Sequence, residues 1–378
     1  MEKNLLFAAL AVVAMASCTK NELKVPATGT DAVISFQPVV ANATKADYIT
    51  NSTIAPTGDP KSSTFKFTVY AWYTDGAEMT TSTTTSTAKA YMSGVEVSYK
   101  PGHNDATQGE GGWSPATTYY WPKNGYLSFD AYAPSTASAD GTFSSVVETG
   151  LQIANYTVKE LTGQYDLLYS KRTLNKKNST EGATNNTYDG VDIAFKHALA
   201  AIEVTAKTDK NYSGAIKLKK ITILNAFNKG TFSQGMTNAA NEGTAKWTTP
   251  SNETTYVLFE SIDGVALNQT ALTSTTTTNK ISNAILLPQD FIHASSGKHV
   301  SIRVDYTIKH GTAELAQYYV VDLSSTSGAV AGGSSAPLSA WEIGKRYTYN
   351  FIFSLDEVYF APEVAEWTDV TVDNINVQ

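Results

Sequence analysis

Hydrophobic and polar residues alternate with a period of two along most of the chain, which is typical of strands that bury one face. The alternation is clear at residues 64–71, 91–99, 127–133, 191–195 and 217–224. Short segments rich in Gly, Pro, Asn and Ser separate these stretches, and no long segment repeats every 3.6 residues. This spacing predicts an all-β protein built from β-sandwiches.

The sequence divides best at a polar break that covers residues 171–190. A chain of 378 residues exceeds the usual size of a single hydrophobic core. We therefore predict an N-terminal sandwich at residues 46–189 and a C-terminal sandwich at residues 190–378. Neither contains a cysteine, so both must be held by packed cores and not by disulfides.

The N-terminus has the pattern of an export signal. Lys3 precedes an apolar run, Leu5–Met15, which is too short for a membrane-spanning helix of about 20 residues. The small residues Ala16 and Ser17 follow, and Cys18 comes directly after them. This arrangement is similar to a bacterial lipobox. It predicts a signal peptide at residues 1–17 and a mature lipoprotein that is acylated at Cys18. The alternative is an ordinary signal peptide with an incidental cysteine.

Composition argues against several classes of function. A net charge of −7 offers no electrostatic basis for binding nucleic acid. No nucleotide-binding or nucleophile-elbow motif is present, and scattered carboxylates do not define an acid–base pair. The histidines lack the spacing of metal ligands, and His197 is expected to be structural. We therefore predict no enzyme activity, cofactor or metal. The histidines are His103, His197, His293, His299 and His310.

Several motifs, in order, resemble the fimbrillin-like proteins, the type V pilins of Bacteroidetes. They are Trp113, Tyr119–Pro122, Leu127–Pro134, Asp166–Tyr169, Val191–Val204, Leu287–Gln289, Trp341–Tyr349 and Val364–Trp367. The resemblance implies two tandem transthyretin-like β-sandwiches in a lipoprotein precursor. It also implies an outer-membrane anchor, a place in a cell-surface fimbria and a role in adhesion. The implied partners are other fimbrial subunits, a trypsin-like processing protease and a host or bacterial surface ligand.

The resemblance further implies that the protease removes an N-terminal propeptide, here residues 18–45. The family is cut after an Arg, whereas the matching position here is Lys45, followed by Ala46. Either the protease accepts Lys or this subunit keeps its anchor. The arginines of the chain all lie inside the predicted domains, at Arg172, Arg303 and Arg346.

Two terminal segments are candidates for exchange between subunits. Residues 33–40 alternate as a strand, and we predict that Ile34, Phe36 and Val40 close a groove in the precursor. Pro38 is expected to confine this strand to an edge or a bulge. An open groove pairs readily with a strand from another chain.

The donor candidate is the tail at 368–378. Its apolar residues are Val370, Val372, Ile375 and Val377, with a phase slip in the middle that requires a bulge or two separate halves. The alternative is that this tail pairs within its own C-terminal domain.

A competing hypothesis is a surface lipoprotein that binds glycans through aromatic side chains near residues 72–73 and 113–121. Aromatic residues in β-sandwiches are more often part of the core, and Trp121, which precedes Pro122, is expected to lie in the core or to anchor a loop. The feature that favours a pilin is the strand at 33–40 followed by a basic cleavage site at Lys45. A glycan-binding protein needs neither.

Overall fold

A computed structural model describes residues 33–40, 63–100, 112–177, 190–325, 327–330, 334–355 and 358–366. The predicted all-β fold is confirmed, since strands make up most of the described chain. Three short 3₁₀ helices join them, at Ser135–Ala139, Leu161–Gly163 and Leu323–Ser325. Within these ranges, no helix has the length and hydropathy required to cross a membrane.

The strands are numbered in chain order. They are β1 Phe36–Val40, β2 Lys66–Thr74, β3 Lys89–Lys100, β4 Gly112–Pro115, β5 Tyr126–Ala133, β6 Thr142–Val146, β7 Gly150–Thr157, β8 Leu168–Ser170, β9 Thr173–Lys176, β10 Val191–His197, β11 Ala200–Thr208, β12 Ile216–Ser233, β13 Met236–Asn238, β14 Asn241–Glu242, β15 Lys246–Ala266, β16 Ala284–Leu286, β17 Gln289–Asp290, β18 Ser301–His310, β19 Ala313–Asp322, β20 Ser327–Val330, β21 Ser334–Pro337, β22 Ala340–Trp341, β23 Lys345–Phe353 and β24 Val358–Glu366.

The first sheet wraps around the N-terminal core. Its order is β2-β3-β4-β1-β10-β8-β5-β9, and it closes on itself because β2 also pairs with β5. The alternating side chains predicted from the sequence point inward, and those of Phe67, Phe129 and Phe195 are fully buried. β1 is an inner strand of this sheet and lies between β4 and β10.

The second part of the chain forms most of two facing sheets, and β6 and β7 of the first part complete one of them. One has the order β16-β11-β23-β24-β20-β21, and the other runs β19-β18-β12-β7-β6 with β15 also paired to β12. Their apolar faces meet in a single core, which includes Ile202 and Phe351 from the first of these sheets and Ile221 and Val304 from the second. This arrangement is a β-sandwich with the alternation that the sequence predicts.

A separate hydrophobic cluster joins the two parts. Tyr156, Leu199, Phe232 and Leu287 belong to it. The hairpin of β6 and β7 also pairs with the C-terminal half of β12, so main-chain hydrogen bonding continues across the junction. The division at residues 189 and 190 stays a prediction. The strand pairing places β10 in the first sheet, and the chain enters the second part through Ala198 and Leu199.

The segment predicted as a polar break begins with ordered, buried structure. Arg172 is 3% exposed, and its Nε and Nη2 donate to Asp130 of β5 at 2.9 and 2.6 Å. The remaining guanidinium donors bond to the carbonyl oxygens of Val146, Val147 and Ala239. A buried charge requires this degree of pairing. The sequence did not predict it, because the two partners are 42 residues apart.

Candidate assembly site

β1 occupies a groove in the first sheet. It pairs in parallel with β10 along its whole length, from Phe36 opposite Val191 to Val40 opposite Phe195. On its other side β1 pairs antiparallel with β4, where Phe36 lies opposite Trp113. Ile34 extends the contact, because its N–H donates to the carbonyl oxygen of Tyr119 at 2.8 Å.

Three side chains of this segment face the core. Ile34, Phe36 and Val40 are at most 2% exposed, whereas Val39 is 45% exposed. Burial of a large apolar side chain contributes about 1.5–3 kcal/mol relative to exposure. These three residues therefore hold the segment in the sheet, in addition to the main-chain pairing.

Pro38 sits within the strand without breaking its pairing to β10. The N–H of Val191 donates to the carbonyl oxygen of Ser35 at 2.8 Å, and alternate residues along a strand face the same neighbour. Gln37 and Val39 therefore face β10, and Pro38 faces away from it. The expectation that Pro38 confines the strand to an edge or a bulge is therefore wrong, because β1 is an inner strand that pairs with β10 without a shift in register.

Aromatic rings line the groove beneath β1. The ring of Phe36 makes edge contacts with Phe67 and Phe129, with centroids 6.0 and 5.7 Å apart. Phe67 also contacts Trp113 and Phe195, at 5.9 and 5.6 Å. Removal of β1 would uncover this connected set of rings, so the groove needs a strand with apolar residues at alternate positions.

The remaining predicted site residues lie outside the described part of the chain. They are Cys18, Lys45, Ala46, Val370, Val372, Ile375 and Val377. β1 and β2 are joined by residues 41–65, which include Lys45. Cleavage after Lys45 would therefore separate β1 from the rest of the chain without cutting any described strand.

Other residues singled out from the sequence are structural. The Nδ1 atom of His197 lies 2.8 Å from Asp166 Oδ2 in a buried pair, as expected for a hydrogen-bonded histidine. Trp113 and Trp121 are part of the N-terminal core, and the indole N–H of Trp72 donates to Ser145 Oγ at 3.0 Å. These rings do not form an exposed platform for sugar rings. In the described ranges, no group of His, Cys, Asp and Glu has the arrangement of a metal site.

Comparison with known proteins identifies the family of this chain. The sequence profile of the fimbrillin-like family matches residues 61–367, which is most of the chain. The chain belongs to the fimbrillin-like family. Its members are non-enzymatic pilin and adhesion proteins of cell-surface fimbriae, which supports a role for this chain as a fimbrial subunit. No curated protein matches it.

Two solved structures are similar to this chain. A fimbrial protein from Bacteroides vulgatus aligns with a TM-score of 0.55 and 16% identity, over 89% of this chain and 100% of that one. A candidate cell adhesion protein from Bacteroides uniformis aligns with a TM-score of 0.49 and 17% identity, over 90% and 100% of the two chains. At this level of identity, the first similarity establishes the fold alone.

Proposed function

We propose that this fimbrillin-like chain is exported as a lipoprotein acylated at Cys18 and assembles by strand exchange. Cleavage after Lys45 releases β1, and the groove then accepts the C-terminal strand of another subunit. The observation that carries the proposal is the burial of Ile34, Phe36 and Val40 in a groove between β4 and β10. The covalent link from β1 to the rest of the sheet runs through residues 41–65.

The chemistry of the groove favours a replacement strand over an empty site. Loss of Phe36 would expose the rings of Phe67 and Phe129, which are fully buried in the precursor. It would also leave the main-chain groups of β10 without the partners that β1 supplies. An incoming strand satisfies both needs, since its backbone completes the sheet and alternate side chains fill the pockets.

The tail at 368–378 fits this role by its pattern. Val370 and Val372 are two residues apart, the spacing of the inward positions of β1. Ile375 and Val377 repeat that spacing after the phase slip, so the tail fills the groove in two halves. The family profile spans residues 61–367, which leaves both exchanging segments outside the matched body.

The role within the fimbria depends on the cleavage site. A subunit that is cut after Lys45 loses its lipid with residues 18–45 and joins the polymer at any position. A subunit that keeps Lys45 intact because the protease requires Arg also keeps its acyl chains, and therefore anchors the fimbria to the outer membrane.

Limited proteolysis tests the cleavage step. We expect trypsin to cut the folded chain first after Lys45, with a stable product that begins at Ala46. The Lys45→Gln variant should resist this first cut and keep the same melting temperature. First cleavage within Lys171–Lys177 in the unmodified protein would contradict the proposal, since that segment holds the buried Arg172 and β9.

A pair of tail variants tests the donor step. Val372→Asp places a charge on the face that enters the groove, and burial of an unpaired charge is costly. Thr371→Asp places the same charge on the opposite face and is the matched control. We expect size-exclusion chromatography to show polymers of the cleaved control and monomers of cleaved Val372→Asp, with the same circular dichroism. Unfolding of Val372→Asp alone would assign the tail to its own domain, and normal polymers of it would remove the tail from the mechanism.

A further inference from the structure

β19 forms an open edge of the second sandwich. It is the terminal strand of its sheet and pairs on one side with β18, from Ser301 opposite Asp322 to His310 opposite Ala313. Except for the buried Val321, its apolar side chains remain in contact with solvent on both faces. The exposed fractions are 50% for Leu315, 64% for Tyr318 and 44% for Val320.

This edge has few of the features that normally prevent strand pairing, and its charged residues, Glu314 and Asp322, lie near its two ends. Proteins protect long edges with Pro, Lys, bulges or a covering element. β19 contains neither Pro nor Lys, and its ten residues pair with β18 without a shift in register. Its exposure shows that no other described segment of the chain covers it. A long, regular edge with exposed apolar side chains is a template for another strand.

The hydrogen bonds identify which residues face outward. The N–H of Leu323 donates to the carbonyl oxygen of Val300 at 3.0 Å, and the N–H of Lys309 donates to Ala215 on the far side of β18. Because antiparallel pairs alternate, the odd-numbered residues of β19 bond to β18. The main-chain groups of Glu314, Ala316, Tyr318 and Val320 therefore point to the open edge.

We propose that β19 is a lateral docking edge for a second copy of this chain. The two strands pair antiparallel about a two-fold axis at Gln317, and the two sheets become one. This contact is separate from the groove that holds β1 and does not depend on cleavage at Lys45.

The strand is complementary to itself in this register. Leu315 lies opposite Tyr319 of the second copy, and Ala316 lies opposite Tyr318. Pairs of aromatic and aliphatic side chains stabilise adjacent strands. Glu314 lies opposite the apolar Val320, and no like charges meet. Pairing about Tyr318 instead would place Glu314 opposite Asp322, two negative charges.

The contact is small, and this determines where it acts. One strand on each side covers less than the roughly 800 Å² per partner of a standard interface. Free monomers will therefore pair only at high concentration. Subunits that are aligned along neighbouring fibres meet many times in succession, so the same weak contact bundles fibres side by side.

Disulfide trapping tests the pairing and its register. Gln317 lies on the axis in a non-hydrogen-bonded pair, where the Cα atoms are about 4.5 Å apart. That separation is within the range of about 4.4–6.8 Å that a disulfide spans. In full-length Cys18→Ser protein with copper phenanthroline and oxygen, we expect Gln317→Cys to form dimers at least tenfold faster than Thr277→Cys. Thr277 is an exposed loop residue and serves as the control. Equal rates at the two positions would overturn the proposal.

Two substitutions of opposite charge at Val320 provide a second test that leaves the backbone intact. Val320→Glu faces Glu314 of the second copy and should slow cross-linking of Gln317→Cys. Val320→Lys faces the same carboxylate with opposite charge and should preserve it. Both substitutions are on a half-exposed side chain, so circular dichroism should show both variants folded. Equal effects of the two substitutions would exclude the register about Gln317.

Discussion

Gly190 lies directly against the main chain of Phe36. A Cβ atom at position 190 would fall 2.7 Å from the Phe36 carbonyl carbon and 3.0 Å from its Cα. Gly190 also has a φ of +98°, a conformation that residues with a side chain rarely adopt. β1 can therefore lie this close to the start of β10 only because residue 190 has no side chain.

This close approach predicts a specific defect in Gly190→Ala. The added methyl group would displace β1, whereas the C-terminal sandwich would not be affected. We expect faster hydrogen exchange at the amide groups of residues 33–40 and 191–195, with unchanged protection in β12 and β18. Uniform loss of protection from hydrogen exchange across both parts would show that Gly190 supports the whole fold and not only the position of β1.

The anchoring role of Phe36 is measurable against a neighbour on the same strand. Phe36→Ala removes a ring that is 2% exposed, and such truncations cost about 3–5 kcal/mol. Val39→Ala changes a side chain that is 45% exposed and should cost less than about 0.5 kcal/mol. Urea unfolding of the uncleaved chain compares the two. Equal, small losses would mean that β1 adds nothing to the stability of the folded chain.

The buried ion pair of Arg172 and Asp130 should be far more sensitive than a surface pair. Arg172→Met leaves the carboxylate of Asp130 buried without its counter-charge, which costs about 3–5 kcal/mol. Lys66→Met removes one partner of the exposed pair with Glu96, where about 0–1 kcal/mol is at stake. The double variant Arg172→Met, Asp130→Leu should recover part of the loss. Chemical denaturation of these variants measures each value, and a loss below about 1 kcal/mol for Arg172→Met would contradict the account.

Glu253 provides a prediction about pH. Hydrogen bonds from Lys298, Ser296 and His293 lower the pKa of its carboxyl from 4.5 to about 2. A group whose pKa is depressed in the folded state stabilises the protein above its unfolded pKa, and this contribution is lost as pH falls through the folded value. Glu253→Gln should therefore be less stable than the unmodified protein at neutral pH, and the difference should shrink between about pH 4.5 and 2. A difference that stays constant over this window, measured by denaturant unfolding, would contradict the assignment.

In β10, local alternation was enough to predict which side chains are buried. Val191, Ile193 and Phe195 repeat every second residue, and all three are fully buried. The same period predicted a strand at residues 33–40, where Ile34, Phe36 and Val40 are buried. Pairing between distant strands leaves no such signal, and this is why the sequence did not place β10 beside β1 or pair β7 with β12.

Single residues in polar surroundings were the hardest to interpret. Arg172 lies in a run of lysines that suggests a solvated linker, and its burial depends on Asp130 in a separate strand. In β19 the reverse holds, because apolar residues are exposed. Its run of Leu315, Tyr318, Tyr319 and Val320 has the composition of a buried strand, but its place at the edge of the sheet leaves these side chains exposed. Composition identifies a strand, whereas topology decides which side chains meet solvent.

The most direct test of strand exchange tracks the fate of β1 after cleavage. The purified precursor is cut after Lys45, and an isotopically labelled peptide of residues 368–378 is added in excess. Native mass spectrometry then reports which strand is bound. The account predicts that the fragment carrying Ile34 and Phe36 leaves and one labelled peptide takes its place, while the Val372→Asp peptide fails to exchange. A cleaved chain that polymerises while it retains its own β1 would contradict the central claim.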